Sequence, residues 1–156
     1  MPCGHSEVDG RRSTRKMMMT IRPFQTGDET AVVQLWQDCG LVRSVNDPHK
    51  DIRRKMSAQP DLFLVGTIGT RIVATVMAGY EGHRGWLNYL AVAPNQQRGG
   101  LGRQMVAEAE KRLRALGCPK INLQVRRSNA GVMEFYRRIG FSEDDVASMG
   151  KRLETD

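Results

Sequence analysis

The segment Gln97-Arg98-Gly99-Gly100-Leu101-Gly102 constrains this chain more than any other. It follows an apolar run from Trp86 to Ala93, closed by Pro94, and precedes Leu101, Met105, Ala109, Leu113 and Leu116 at helical spacing. The spacing predicts a strand, a glycine turn and a long helix from about Gly100 to Leu116, stopped by Gly117. Glycines let a backbone approach an anion closely, and a helix opening at that point adds unpaired N–H groups and the positive end of its dipole. The pattern therefore suits a pyrophosphate seat, although from the glycines alone a purely structural turn stays equally open. Two rival phosphate loops lack their parts. A Walker loop needs Lys and Ser/Thr after its last glycine, where Arg103 and Gln104 stand. A dinucleotide-binding loop needs a third glycine at Met105 and an opening βαβ unit that the upstream hairpin does not provide.

The rest of the chain frames this segment. Thr20 to Phe24 reads as a first strand, confined by Pro23 to an edge or a strand end. Thr26 and Glu29 have capping-box spacing, and Val32, Leu35, Trp36 and Cys39 share one helical face that Gly40 ends. Asp47-Pro48 opens a second helix with Ile52 and Met56 on its apolar side. Leu62 to Ile68 and Arg71 to Tyr80, joined by Gly69-Thr70, form a predicted hairpin. After the long helix come a strand from Ile121 to Val125, a helix from about Ala130 to Arg138 and a final strand pair within Phe141 to Leu153. The order βααβββαβαββ is an α+β fold, with helices covering a mixed sheet. Residues 1–19 show no apolar periodicity and read as a disordered extension, with Met17, Met18 or Met19 as a native start, and residues 20–156 as one domain.

Composition narrows the function classes. No apolar run approaches the roughly 18 residues that cross a bilayer, so no membrane partner is expected. Cys3, Cys39 and Cys118 are widely spaced without a C-x-x-C pair, which argues against a disulfide framework or a metal site and fits a cytoplasmic location. The net charge of +7 suits nucleic acid, an acidic partner or an anionic cofactor, and its sign does not choose among them.

The loop Gln97 to Gly102, placed after a strand and opening a helix, resembles the Q/R-x-x-G-x-G/A signature of the GCN5-related N-acetyltransferases (GNAT). A second signature of that family is similar to Leu123-Gln124-Val125-Arg126-Arg127-Ser128-Asn129 followed by Phe135-Tyr136-Arg137-Arg138-Ile139-Gly140-Phe141. Asn46-Asp47-Pro48, Arg54-Lys55-Met56, Gly79 to Gly85, Gly117 to Ile121 and Gly150 to Leu153 extend the likeness toward the YpeA-type bacterial acetyltransferases.

The resemblance implies a GNAT fold: a mixed, mostly antiparallel sheet of about seven strands flanked by about four helices. It implies acetyl-CoA as cofactor and direct transfer of the acetyl group to an amine, in a small molecule or a peptide. Leu90, Ala91 and Val92 would contact pantetheine through a strand that splays at a bulge. The backbone of Gln97, Arg98, Gly99, Gly100, Leu101 and Gly102, with Arg103 nearby, would hold the phosphates. Asn129 would touch the cofactor arm, and Tyr136 would act as the acid at sulfur. Family members that acetylate protein N-termini often carry a glutamate where Gln124 stands, which leaves Glu81 as the nearest carboxylate base. Glu81 reads equally well as an exposed turn residue, and His83 is the other candidate base. Arg126 and Arg127 read as solvated charges, and Cys118 lacks the surroundings of a nucleophile. A CoA-binding module without turnover and a basic RNA-associated protein are the alternatives, with nucleic acid disfavoured and a homodimer left open.

Overall fold

The computed structural model describes residues 18–156. The expected extension falls almost wholly outside them, but Met19 lies within and packs on the core. The chain forms β1 (Thr20–Pro23), α1 (Glu29–Asp38), α2 (Pro48–Ser57), β2 (Phe63–Ile68), β3 (Arg71–Tyr80), β4 (Gly85–Val92), α3 (Leu101–Ala115), β5 (Ile121–Asn122) and α4 (Ala130–Arg138). The strands lie side by side in chain order. The first four pair antiparallel through short connections, whereas β5 runs parallel to β4 because α3 carries the chain back between them.

β3 is buried from Val73 to Ala78, so it reads as a nearly continuous apolar run. Its alternating side chains divide the core in two. Ala74, Val76 and Ala78 face Met105, Val106, Ala109 and Leu113 of α3, together with Tyr136 of α4. Met77, with Phe63 and Val65 of β2, faces Val32, Leu35 and Trp36 of α1 and Ile52 of α2. Helices therefore cover both faces, and the apolar stripes seen in the sequence are the surfaces that meet the sheet.

Local details differ from expectation at α1. Thr26–Asp28 is a separate turn of 3-10 helix, and the carboxylate that accepts the Gln25 N–H, at 2.8 Å, belongs to Asp28. Asp28 also pairs with Arg22 of β1 at 2.7 Å, so one side chain fixes the chain's exit from the first strand.

The sheet has five strands rather than about seven. The segment expected as the last strand pair, Phe141 to Leu153, forms no regular secondary structure. Val146, Met149 and Leu153 are 76, 91 and 85% exposed, so the apolar side chains that would have anchored a strand bury little. Side-chain contacts hold the segment instead of a backbone ladder: Lys120 to Asp144 at 2.8 Å, Gln124 to Ser148, and Arg152 to Asn46 at 3.1 Å. The same absence of a ladder shortens the strand expected from Ile121 to Val125 to Ile121–Asn122.

Candidate active site

β4 and β5 pair only at Gly85 with Ile121 and Trp86 with Asn122. Gly85 is closely packed at this junction: a Cβ there would stand 2.8 Å from the Cys118 sulfur and 3.2 Å from Leu113, so those side chains would have to shift. Beyond Trp86 the strands separate, and β4 continues to Val92 with its β3 edge paired and its other edge open. The β3–β4 register jumps from Thr75 opposite Ala91 to Met77 opposite Asn88, so Tyr89 and Leu90 together face Val76. That is a β-bulge, and Tyr89 sits in it at φ 51. The Tyr89 carbonyl accepts the Thr75 hydroxyl on the β3 side at 2.8 Å. Carbonyl and N–H point in opposite directions across a trans peptide, so the Leu90 N–H is directed into the gap. Farther along, the Ala93 N–H bonds Val73 of β3; by strand alternation Ala91 faces β3 and Val92 faces the gap.

Strand β4 leads through a short 3-10 turn into the glycine loop. Arg98 and Gly100 take φ 67 and φ 80 on either side of Gly99, a folding of the backbone that turns successive N–H groups toward one side. No side chain caps α3 at Gly100 and no acidic residue occupies its first turn. The first N–H with an intrahelical partner is that of Gln104, which bonds Gly100 at 3.1 Å. The N–H groups of Leu101, Gly102 and Arg103 are thus the helix's free donors, at its positive end and beside two exposed arginines.

Space around the glycines separates their roles. Nothing lies within 4 Å of a Cβ on Gly100, whereas one on Gly102 would stand 3.3 Å from Phe135 and 3.6 Å from Val92. Gly102 therefore seats the first turn of α3 against α4 and β4. Gln97 contributes through its side chain, whose amide donates to the Val92 carbonyl at 3.1 Å and ties the loop to the strand. That carbonyl also accepts the Cys39 thiol at 3.2 Å, so the group Val92 leaves to the gap is its N–H.

On the far side of the gap, α4 is capped by Asn129, whose side-chain oxygen accepts the Val132 N–H at 3.3 Å while its amide nitrogen stays available. Tyr136 is 8% exposed, and its ring meets Phe135 and Phe141 edge-on. Among the described residues its hydroxyl has no hydrogen-bond partner, and it lines an open cleft of 1180 Å³ between β5, α4 and the C-terminal segment. Burial pushes its pKa up to about 12. The glycine loop lies outside this cleft, as do Leu90 and Val92; of β4 only Trp86 lines it.

Other sequence candidates stand apart. Glu81 is exposed in the turn after β3, where its carboxylate accepts the Arg84 N–H. Glu81 sits at the Gly85 end of β4, and Leu90 is five steps along the strand from Gly85, roughly 16 Å at about 3.3 Å per residue, so the turn and the bulge stand apart. His83 shares that exposed turn. Gln124 is engaged with Ser148, and Arg127 pairs with Glu143 at 3.3 Å while remaining 86% exposed.

Sequence reasoning missed Thr75, the one fully buried polar side chain among the described residues. Besides binding the Tyr89 carbonyl, its hydroxyl oxygen accepts the Trp36 indole N–H at 2.9 Å. The apolar spacing of α1 marks Trp36 only as a core residue. The Tyr89 ring stacks on it at 3.8 Å, and the Tyr89 hydroxyl donates to Asp51 of α2 at 2.6 Å. A buried threonine in an apolar strand gives no local signal of such a role.

A sheet that opens beside a bulge, ending at an uncapped helix N-terminus, defines an α+β class with one strand edge left unpaired between flanking helices. Comparison makes the assignment specific: the model of the Acetyltransferase (GNAT) family matches residues 29–141, and the chain belongs to that family of acetyltransferases. It is 44% identical to an acetyltransferase of Pectobacterium atrosepticum over 86% of this chain and 96% of that one. It is 43% identical to an acetyltransferase of Yersinia enterocolitica over 88% and 98%. Among solved structures, the ribosomal-protein-S18-alanine N-acetyltransferase of Escherichia coli superposes with TM-score 0.68 and 26% identity, covering 81% of this chain and 79% of that one. No helix among the described residues is long and apolar enough to cross a membrane.

Proposed function

We propose that this protein transfers an acetyl group from acetyl-CoA directly to a primary amine. The observation that carries the reading is the continuity of free backbone donors, from Leu90 and Val92 on the open β4 edge to the uncapped start of α3. A diphosphate fits the loop chemically, because Gly100 leaves its surroundings open and neither a carboxylate nor a side-chain cap competes for the helix N–H groups. Acetyl-CoA would supply an activated thioester. The N–H groups of residues 99–103, with Arg98 and Arg103, hold the phosphates, and the Val92 N–H and Asn129 amide align the arm. The Leu90 N–H polarises the carbonyl, as an oxyanion donor does.

The amine enters through the cleft lined by Trp86, Asn122 and Tyr136. A C–N bond forms and the C–S bond breaks, giving an amide and a free thiol. Tyr136 would present its hydroxyl to the departing sulfur as a hydrogen-bond donor, the amine's surplus proton would pass to water in the open cleft, and water would return a proton to the released thiolate. Glu81 has no direct part, in keeping with its distance from the bulge.

Calorimetry with acetyl-CoA, followed by thiol release against small amines, amino acids and peptide N-termini, tests the reading. Saturable binding with turnover on at least one amine is expected. Binding without turnover on any of them would make the chain a CoA-binding module, and no binding would remove the assignment.

A further inference from the structure

Leu90 can polarise a carbonyl only if its N–H stays aimed into the gap, and a bulge is the least constrained place in a ladder to hold such an aim. We propose that Thr75, oriented by Trp36, is a positioning residue that fixes the Tyr89–Leu90 peptide and so sets the carbonyl-polarising donor. The proposal rests on the acetyl-CoA reading above.

The donor sequence is determined by chemistry. An indole N–H can only donate, so the Trp36 contact at 2.9 Å makes the Thr75 oxygen an acceptor. The single Thr75 proton is then left for the Tyr89 carbonyl at 2.8 Å. The hydroxyl takes the position that a β3 backbone N–H would hold in a regular ladder, where the register slips. A planar trans peptide carries this constraint to its other end: with the Tyr89 oxygen held toward β3, the Leu90 N–H points away from β3. Two further contacts prevent the residue from swinging. The Tyr89 ring lies on Trp36 at 3.8 Å, and its hydroxyl donates to Asp51 at 2.6 Å. Elements α1, α2 and β3 thus converge on one peptide unit, and Thr75 is the member that touches its backbone. Burial of Thr75 excludes water that could substitute for the hydroxyl.

The test compares wild type with Thr75→Val, which keeps the branched shape and removes the hydroxyl, and Thr75→Ser, which restores it. The probes are CoA and acetyl-CoA carrying ¹³C at the carbonyl. In wild type the carbonyl stretch of bound acetyl-CoA should fall below its value in solution, and acetyl-CoA should bind more tightly than CoA. Thr75→Val should lose most of that shift and reduce the preference for acetyl-CoA by about 3- to 10-fold, the worth of one hydrogen bond, while CoA affinity stays within about twofold. Thr75→Ser should recover both signals. A merely structural role would weaken both ligands together and leave the stretch of any bound acetyl-CoA unmoved. Trp36→Phe, which retains a stacked ring but lacks the indole N–H, gives a second reading if the valine variant does not fold, and should lose part of the shift. An unchanged stretch and unchanged preference in a folded Thr75→Val or Trp36→Phe protein overturns the positioning role even with cofactor binding intact. Failure of wild type to bind either probe overturns the acetyl-CoA reading, and the inference with it.

Discussion

Tyr136 illustrates how burial decides what a side chain can do. Its phenol is pushed up to about 12, whereas a thiol comparable to the leaving group ionises near 8.5. Complete proton transfer from tyrosine to thiolate is therefore uphill by roughly 5 kcal/mol, so in the proposed reaction Tyr136 would act by hydrogen bonding to sulfur as charge develops there. Tyr136→Phe keeps the edge-on packing with Phe135 and Phe141; it should lower kcat about 100-fold in a thiol-release assay, with acetyl-CoA affinity unchanged by calorimetry. Retention of full kcat would assign the residue to packing alone. The raised pKa also keeps the phenol protonated throughout the working range, so no descending limb of the pH–rate profile below about pH 11 belongs to it. Glu81 provides the contrast: it is exposed in the turn at the Gly85 end of β4, away from Leu90. Glu81→Gln should alter kcat/KM at neutral pH by no more than about twofold, and a loss of 100-fold would reinstate it as the base.

At the scale of elements, two glycines in one loop serve different ends. Gly100 is at φ 80 in open space, and Gly102 lies under Phe135 and Val92. Gly100→Val places a branched residue in a left-handed conformation beside the anion seat, costing about 1–2 kcal/mol of backbone strain. It should weaken acetyl-CoA binding at least tenfold while Tm falls only a few degrees. Gly102→Val must push α3 away from α4 and β4, so it should lower Tm and affinity together, the larger Tm loss being visible by calorimetric scanning. Elsewhere, Arg22 holds the Asp28 carboxyl below the usual carboxylate range and thereby pins β1 to the turn before α1. A depressed carboxyl stabilises the fold above its unfolded pKa, near 3.9, and that stabilisation disappears as pH falls through the folded pKa. Asp28→Asn should cost about 1–3 kcal/mol near neutrality, and its denaturation midpoint should converge with wild type as the pH drops below about 4.

At the scale of the whole molecule, the proposed function puts the two reactants on different supports. In that reading the glycine loop and β4 edge would form the cofactor side, while β5, α4 and the C-terminal segment line the open cleft. Because that cleft is open to water, deprotonation of the amine sets the pH dependence. The logarithm of kcat/KM should rise with unit slope up to the pKa of the acceptor's ammonium, near 8 for a peptide N-terminus and near 10.4 for a lysine side chain. A profile already flat at pH 6 with a lysine-type acceptor would reveal a dedicated base.

The loop, the helical stripes of α1 and α3, and the hairpin of β2 and β3 were legible in the sequence because each is specified within a few residues. Glycine fixes which backbone angles are accessible, and apolar spacing fixes which face a helix buries. Leu90, Val92 and Tyr136 came from motif likeness, and in the fold Leu90 and Val92 pack against the core cluster that contains Tyr136. The final strand pair failed for the opposite reason: apolar residues between Phe141 and Leu153 satisfy a strand's composition, yet a strand exists only where a neighbouring ladder accepts its backbone. Thr75 was invisible on the same grounds. Its partners stand 39 residues before it and 14 after it, and no periodicity joins them. The sequence by itself determined the local conformations and the chemistry each residue can offer. Only the tertiary structure decided which peptide N–H is left without a partner, because pairing across the sheet consumes most backbone donors and leaves a few directed into the gap.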